Sequence, residues 1–390
     1  MRRTPTVIEY VIGSKGCITG PMHVVSHDSA LQLRRRLRTT DVGGEPGTNS
    51  AGAFLTPAPV FPGLAMATCP PASNPPQGIV SLMRANLLTT PVDVLVTMPQ
   101  QRNTQAARRM DKIPYRTHQW SGPVPSGSID ELVFSRERLG GIPLMPDEGP
   151  ASGVPFKTML FCSSKPMIFA QLSRTLDTIA LVELACELCG EYTLAPWTEQ
   201  GFKNHPKDLS IANLRSFLAQ MGWDARHHGR ATSAARLAQE GSRSPLETIV
   251  FMLLCLPARL GGYGIPNPLL NPWVNAEGNV VVGRDEGGDL RPDLFWESAR
   301  LDVEVQSRAF HRDKSTRGSR KMNDFDRELR LKTRGIEVLP VTITTIRSLH
   351  DMDALALHIL RRLGRQSRYP TGDIWRARQA ELRVRVVPGM

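Results

Sequence analysis

The chain has 390 residues, 41% of them hydrophobic and 22% charged, with a net charge of +11 at pH 7. That length exceeds one ordinary domain, and the composition is that of a globular chain, not a disordered or fibrous one. Six cysteines are too sparse for a disulfide scaffold, and the longest apolar run, IVFMLLCLPA at 249–258, is about half the ~20 residues that span a bilayer.

The opening MRRTPTVIEYVIGSKG is basic but has no long apolar core behind it, so a soluble cytoplasmic protein with no membrane association is expected. The first 90 residues offer one helix, SALQLRRRLR at 29–38, with four arginines. A Gly/Pro/Ser/Asn-rich stretch over 43–78 follows and reads as a linker. PVDVLVTM at 91–98 predicts a strand, and HQWSGPVPSGSIDELVF predicts short strands joined by Gly/Pro turns. From 165 to 222 apolar residues recur every three or four positions, so 91–240 is expected to be α+β and mostly helical. Within it, Cys186 and Cys189 lie on one helix face with no second pair or nearby His to complete a tetrahedral set, and they read as buried thiols. The adjacent His227 and His228 read as surface residues.

GSRS at 241–244 marks a domain boundary. In the following SPLETIVFMLL, Ser244 is a helix N-cap, Pro245 takes the first helical position and Glu247 stands three residues after the cap, which is a capping box. Turn-rich sequence then leads to a short strand, NVVVG, and two more, LRPDLFW (290–296) and RLDVEVQS (300–307). A basic loop, a helix over about 319–334 with Met322, Phe325 and Leu329 on one side, the strand IEVLPVTI and a last helix complete the pattern. The order α-β-β-β-α-β-α predicts an α/β fold over 241–365, a mixed sheet flanked by helices, with a basic tail over 366–390.

Alternation in RLDVEVQS puts Asp302, Glu304 and Gln306 on one sheet face and Leu301, Val303 and Val305 on the other. A two-residue turn at Ser298 and Ala299 sets Trp296 opposite Leu301 and therefore Asp293 opposite Glu304. Two carboxylates so paired repel unless a cation lies between them. They mark either a solvated edge of the hairpin or a site for a hard cation such as Mg²⁺ or Mn²⁺. Charge is uneven along the chain. From residue 301 onward there are 19 Lys/Arg against 11 Asp/Glu, which fits either a polyanionic partner or a solvated basic surface.

A helix bearing a Glu, a strand ending in Pro-Asp, a strand carrying Glu-x-Gln, then a helix and a strand resemble the PD-(D/E)XK nuclease superfamily. Within it, residues 241–364 are similar to a domain of unknown function related to very-short-patch-repair endonucleases, on the stretches GSRSPLET, RPDLFWESARLDVEVQ and DFDRELRLKTRGIEVLPVTI. The resemblance implies a restriction-endonuclease-like core, a divalent metal held by Asp293 and Glu304, and hydrolysis of DNA phosphodiesters. Glu247 matches the first-helix glutamate that completes such sites, although its place in the capping box accounts for it equally well. Gln306 stands where the superfamily carries lysine, so it brings no positive charge to the transition state. Lys314 or Lys321 reaching in from the following loop and helix is one way to supply it. Arg308, Arg312, Lys314, Arg317, Arg320 and Lys321 are expected to contact DNA, and His311 reads as an acid, base or phosphate contact or as a solvated loop residue. The middle of the chain, in PVDVLV, HQWSGPVPSGS and LVELACELCGEYTL, resembles abortive-infection antitoxins more faintly. Two functions follow: a metal-dependent DNA endonuclease-like protein, in repair or defence, or a catalytically inactive DNA-binding or antitoxin-like regulator that keeps the nuclease fold.

Overall fold

A computed structural model describes residues 22–39, 53–57, 82–83, 87–89, 91–96, 115–119, 125, 127–134, 138–139, 142–143, 159–221, 225–306, 326–365 and 372–390. The chain divides into two compact units, 1–176 with 214–232 and 177–213 with 233–390. This division cuts through the expected 91–240 region, because residues 177–213 belong with the C-terminal part. Among the described residues no helix is long and apolar enough to cross a membrane.

The first unit is built on a six-stranded mixed sheet. Its strands are β1 (Met22–Val25), β2 (Ala53–Pro57), β3 (Val92–Val96), β4 (Tyr115–Gln119) and β5 (Ile129–Phe134), and, beyond a two-strand ribbon of β6 (Arg138–Leu139) and β7 (Ile142–Pro143), β8 (Met159–Ser163). The spatial order is β2-β5-β8-β1-β3-β4, with β1/β8 and β3/β4 parallel. Two expectations are corrected here. Residues 53–57 form a strand inside the stretch that reads as linker, and 22–25 supply an interior strand, since both find partners far away in the chain. Helix α1 (His27–Thr39) packs on α2 (Lys165–Leu172). Its Arg34 is turned inward, donating to the Ser163 carbonyl at 2.9 Å and pairing with Asp130, so that arginine is a structural tie. Buried Asp93 on β3 accepts from the Ser29 amide and hydroxyl at the start of α1, at 3.3 and 3.0 Å. On β4, Arg116 pairs with it at 2.9 Å and His118 Nε2 lies within hydrogen-bond distance at 2.7 Å.

The second unit contains helix α3 (Thr178–Leu188), N-capped by Asp177, and the antiparallel hairpin β9 (Tyr192–Ala195) with β10 (Gly201–Asn204). Cys186 and Cys189 are fully buried thiols outside any disulfide, and burial pushes the Cys186 thiol up to about 12. Helices α4 (Ile211–Ala219) and α5 (Ala225–Leu237) follow in the chain, and their residues 214–232 belong to the first unit. His227 and His228 fall in α5, where their side chains lie outside the described set. Ser244 caps α6 (Pro245–Cys255) by accepting from the Glu247 amide, with Pro245 in the first turn, as the sequence predicts.

The sheet of this unit has four strands in the order β11 (Leu269–Leu270), β14 (Leu294–Trp296), β15 (Leu301–Gln306), β16 (Glu337–Thr342). The first two pairings are antiparallel and β15/β16 is parallel. Helix α7, described over 326–333, lies between β15 and β16 in the chain. The expected strand NVVVG is not in this sheet: β13 (Val280–Val281) pairs with β12 (Trp273–Val274) in a separate hairpin. Asn275 causes this by accepting from the Glu277 and Asn279 amides at 3.2 and 2.9 Å, which closes a local turn. Of the apolar side expected for α7, Met322 and Phe325 lie outside the described residues and Leu329 is not at its centre. Leu329 is half exposed and Leu331 is buried against Val274, Leu290, Phe295, Ile336 and Val338. Helices α8 (Ile343–Arg347), α9 (Leu349–Arg362) and α10 (Asp373–Val386) end the chain. The expected basic tail is therefore a helix. It is held by Trp375, whose indole donates to the Gly262 carbonyl at 3.0 Å, and by Arg376 on Asp353 at 2.7 Å.

Candidate active site

The hairpin register matches the spacing argument: Trp296 pairs with Leu301, Phe295 with Asp302 and Leu294 with Val303. The turn is longer than two residues. Residues Glu297–Ala299 form a 3-10 turn and Arg300 takes φ 49°, a left-handed conformation. Asp293 stands one residue before β14, so its carboxylate, not a strand carbonyl, meets β15. Its Oδ2 accepts from the Val305 amide at 2.8 Å.

Asp302 is fully buried, and its Oδ1 accepts from the Leu294 amide at 3.2 Å. Glu304, two residues on and on the same face, is bound through Oε1 by the guanidinium of Arg327 from α7. The same guanidinium reaches Asp293 Oδ1 at 3.0 Å and the Arg291 carbonyl. Gln306 ends β15, half-buried and in register with Thr342. Glu247 is buried on the first turn of α6. Its Oε1 accepts from the Ser244 hydroxyl at 2.9 Å, and its Oε2 accepts from the Arg243 amide at 2.8 Å and the Asn271 side-chain amide at 2.6 Å. Asn271 ties this acid to the hairpin, since its own amide donates to the Asp293 carbonyl at 2.9 Å. Arg291 braces the approach by a two-pronged bond to Glu191 at 2.7 and 2.8 Å and by donating to the Asn271 carbonyl at 2.8 Å.

Two carboxylates, Asp293 and Glu304, thus meet one guanidinium, with Asp302 and Glu247 buried nearby. Burial first, and then the charge of Asp293, push Glu247 up to about 7 and raise Asp302 and Glu304 well above the ordinary carboxylate range. Burial opposes the charge of Arg327, but Asp293 and Glu304 outweigh it and raise its pKa. Asp302 Oδ2 and Glu304 Oε2 are buried with no donor among the described residues. An ionised carboxylate only accepts, so neither of these two oxygens can satisfy the other while both acids are charged.

In the arrangement adopted, no group of three His, Cys, Asp or Glu among the described residues is positioned to hold a metal ion. The donor chemistry nevertheless suits a hard divalent cation, because every candidate atom is a carboxylate oxygen and two of them lack donors. Arg308, His311, Arg312, Lys314, Arg317, Arg320 and Lys321 lie outside the described residues. Sequence reasoning missed Asp302, although the alternation that exposed Glu304 put Asp302 on the same face. It also missed Arg327, which nothing distinguishes from the neighbouring arginines until α7 is set beside the hairpin.

No family model, no curated protein and no solved structure matches the chain.

Proposed function

We propose that the second unit is a divalent-metal-dependent DNA endonuclease-like domain of the PD-(D/E)XK type. The observation that carries this reading is the convergence of Asp293, Asp302 and Glu304 on one hairpin, with Glu247 beside them and two buried carboxylate oxygens lacking a donor. Supporting it, α6, β11, β14, β15, α7 and β16 run in the order α-β-β-β-α-β. Asp293, Asp302 and Glu304 are the residues that would hold Mg²⁺ or Mn²⁺. When bound, such an ion polarises the phosphodiester and lowers the pKa of the attacking water. Glu247 and Asn271 hold the Asp293 backbone in place, and Gln306 would orient water through its amide. The positive charge that the strand lacks at Gln306 is available from Arg327.

The test is cleavage of single-stranded, supercoiled, mismatched and branched DNA in Mg²⁺, Mn²⁺ and EDTA, with Asp293→Asn and Glu304→Gln as controls. Metal-dependent cutting lost in both variants is the expected result. One observation favours a second reading, a non-catalytic DNA-binding or antitoxin-like regulator: Arg327 already neutralises Asp293 and Glu304. Salt-sensitive DNA binding with no cutting on any substrate would select it.

A further inference from the structure

We propose that Arg327 is a displaceable counter-cation: its guanidinium fills the place between Asp293 and Glu304 that a divalent ion takes, and withdraws when the ion binds. This rests on the endonuclease-like reading above and adds to it how the site is held closed. The guanidinium spans three partners from three points of the hairpin region, Asp293 Oδ1, Glu304 Oε1 and the Arg291 carbonyl. It covers the acids from the solvent side, since its side chain is 31% exposed against 9% for Asp293 and 14% for Glu304.

The bonding is incomplete in a telling way. The planar fork engages one oxygen of each acid and leaves Asp302 Oδ2 and Glu304 Oε2 buried without a donor. A small hard cation, which takes oxygen ligands, would find those oxygens available to it where a flat guanidinium leaves them unused. It also relieves the crowding of several buried carboxylates around one positive charge. A cavity of about 560 Å³, lined by Leu290, Asp326, Arg327, Leu329 and Arg330, gives the released side chain room on its own side of the site. There Arg327 stands next to Arg330 and is free to meet an incoming phosphate.

The experiment is Mn²⁺ binding to the full chain by calorimetry and electron paramagnetic resonance, for wild type, Arg327→Lys, Arg327→Met and Glu304→Gln. Thermal unfolding in EDTA and in Mn²⁺ is measured alongside. Removing the competing cation is expected to tighten Mn²⁺ binding about tenfold in Arg327→Met and by less in Arg327→Lys. Arg327→Met is also expected to unfold at a lower temperature in EDTA, with Mn²⁺ restoring most of the loss. If both Arg327 variants bind Mn²⁺ no more tightly than wild type, while Glu304→Gln abolishes binding, Arg327 is not displaced and the endonuclease-like reading survives alone. If neither wild type nor the variants bind Mn²⁺, both fall together.

Discussion

Asp302 gives one oxygen to the Leu294 amide and leaves the other buried beside Glu304 with no donor. Burial, then the charge of Asp293, push its pKa from 3.8 up to about 8. A carboxylate raised in this way stabilises the fold fully below its unfolded pKa and loses that contribution as pH rises through the folded one. Asparagine keeps the acceptor for Leu294 and supplies a permanent donor toward Glu304. Asp302→Asn is therefore expected to stabilise the second unit by about 1–2 kcal/mol at neutral pH. Its advantage in urea midpoint should grow between pH 5 and pH 8, and Mn²⁺ uptake should weaken. A constant difference across that range would mean that Asp302 is already ionised in the folded state. The role of Asp302 was half legible: alternation gives its face, but its depth depends on α7, whose Leu331 packs on Phe295 and Val338, the residues paired with Asp302.

Among the elements, those specified by neighbouring residues were the readable ones. The Ser244 cap and Pro245 form as the sequence predicts, although Glu247 accepts from the Arg243 amide instead of closing the box on the Ser244 amide, and Trp296 faces Leu301 across the turn as the spacing implies. Pairings between distant segments were not readable, because a strand such as Leu269–Leu270 has two residues and no pattern of its own. The close packing of α10 belongs to the same class. Gly261 sits at φ 90°, and a Cβ there would lie 2.4 Å from the Arg378 carbonyl oxygen of that helix. Gly261→Ala combines backbone strain with this clash and should cost about 2–4 kcal/mol, seen as a lowered urea midpoint of the second unit. A change under about 0.5 kcal/mol would mean that α10 shifts freely on its neighbour.

At the scale of the molecule, the second unit begins at Asp177, well before the boundary that GSRS suggests. The reason is visible at Arg291, whose guanidinium is held by Glu191 and whose carbonyl receives Arg327. Residues 177–213 thus carry an acid that braces the site, and no periodicity in 241–365 announces the need for it. A fragment of 241–390 should accordingly be less stable than one of 177–390 by circular dichroism melting. Glu191→Gln in the full chain should lower stability in the same direction by about 1–3 kcal/mol, as expected for an arginine left without its carboxylate. Equal melting of the two fragments would show that the brace is dispensable.

The acids of the site sit on one hairpin, while the guanidinium that balances them arrives from α7, more than twenty residues later in the chain. Charge and motif are thereby uncoupled. A search keyed to acid-x-lysine along a single strand reads this hairpin as defective at Gln306. The same search carried out in space finds a basic group already touching both Asp293 and Glu304.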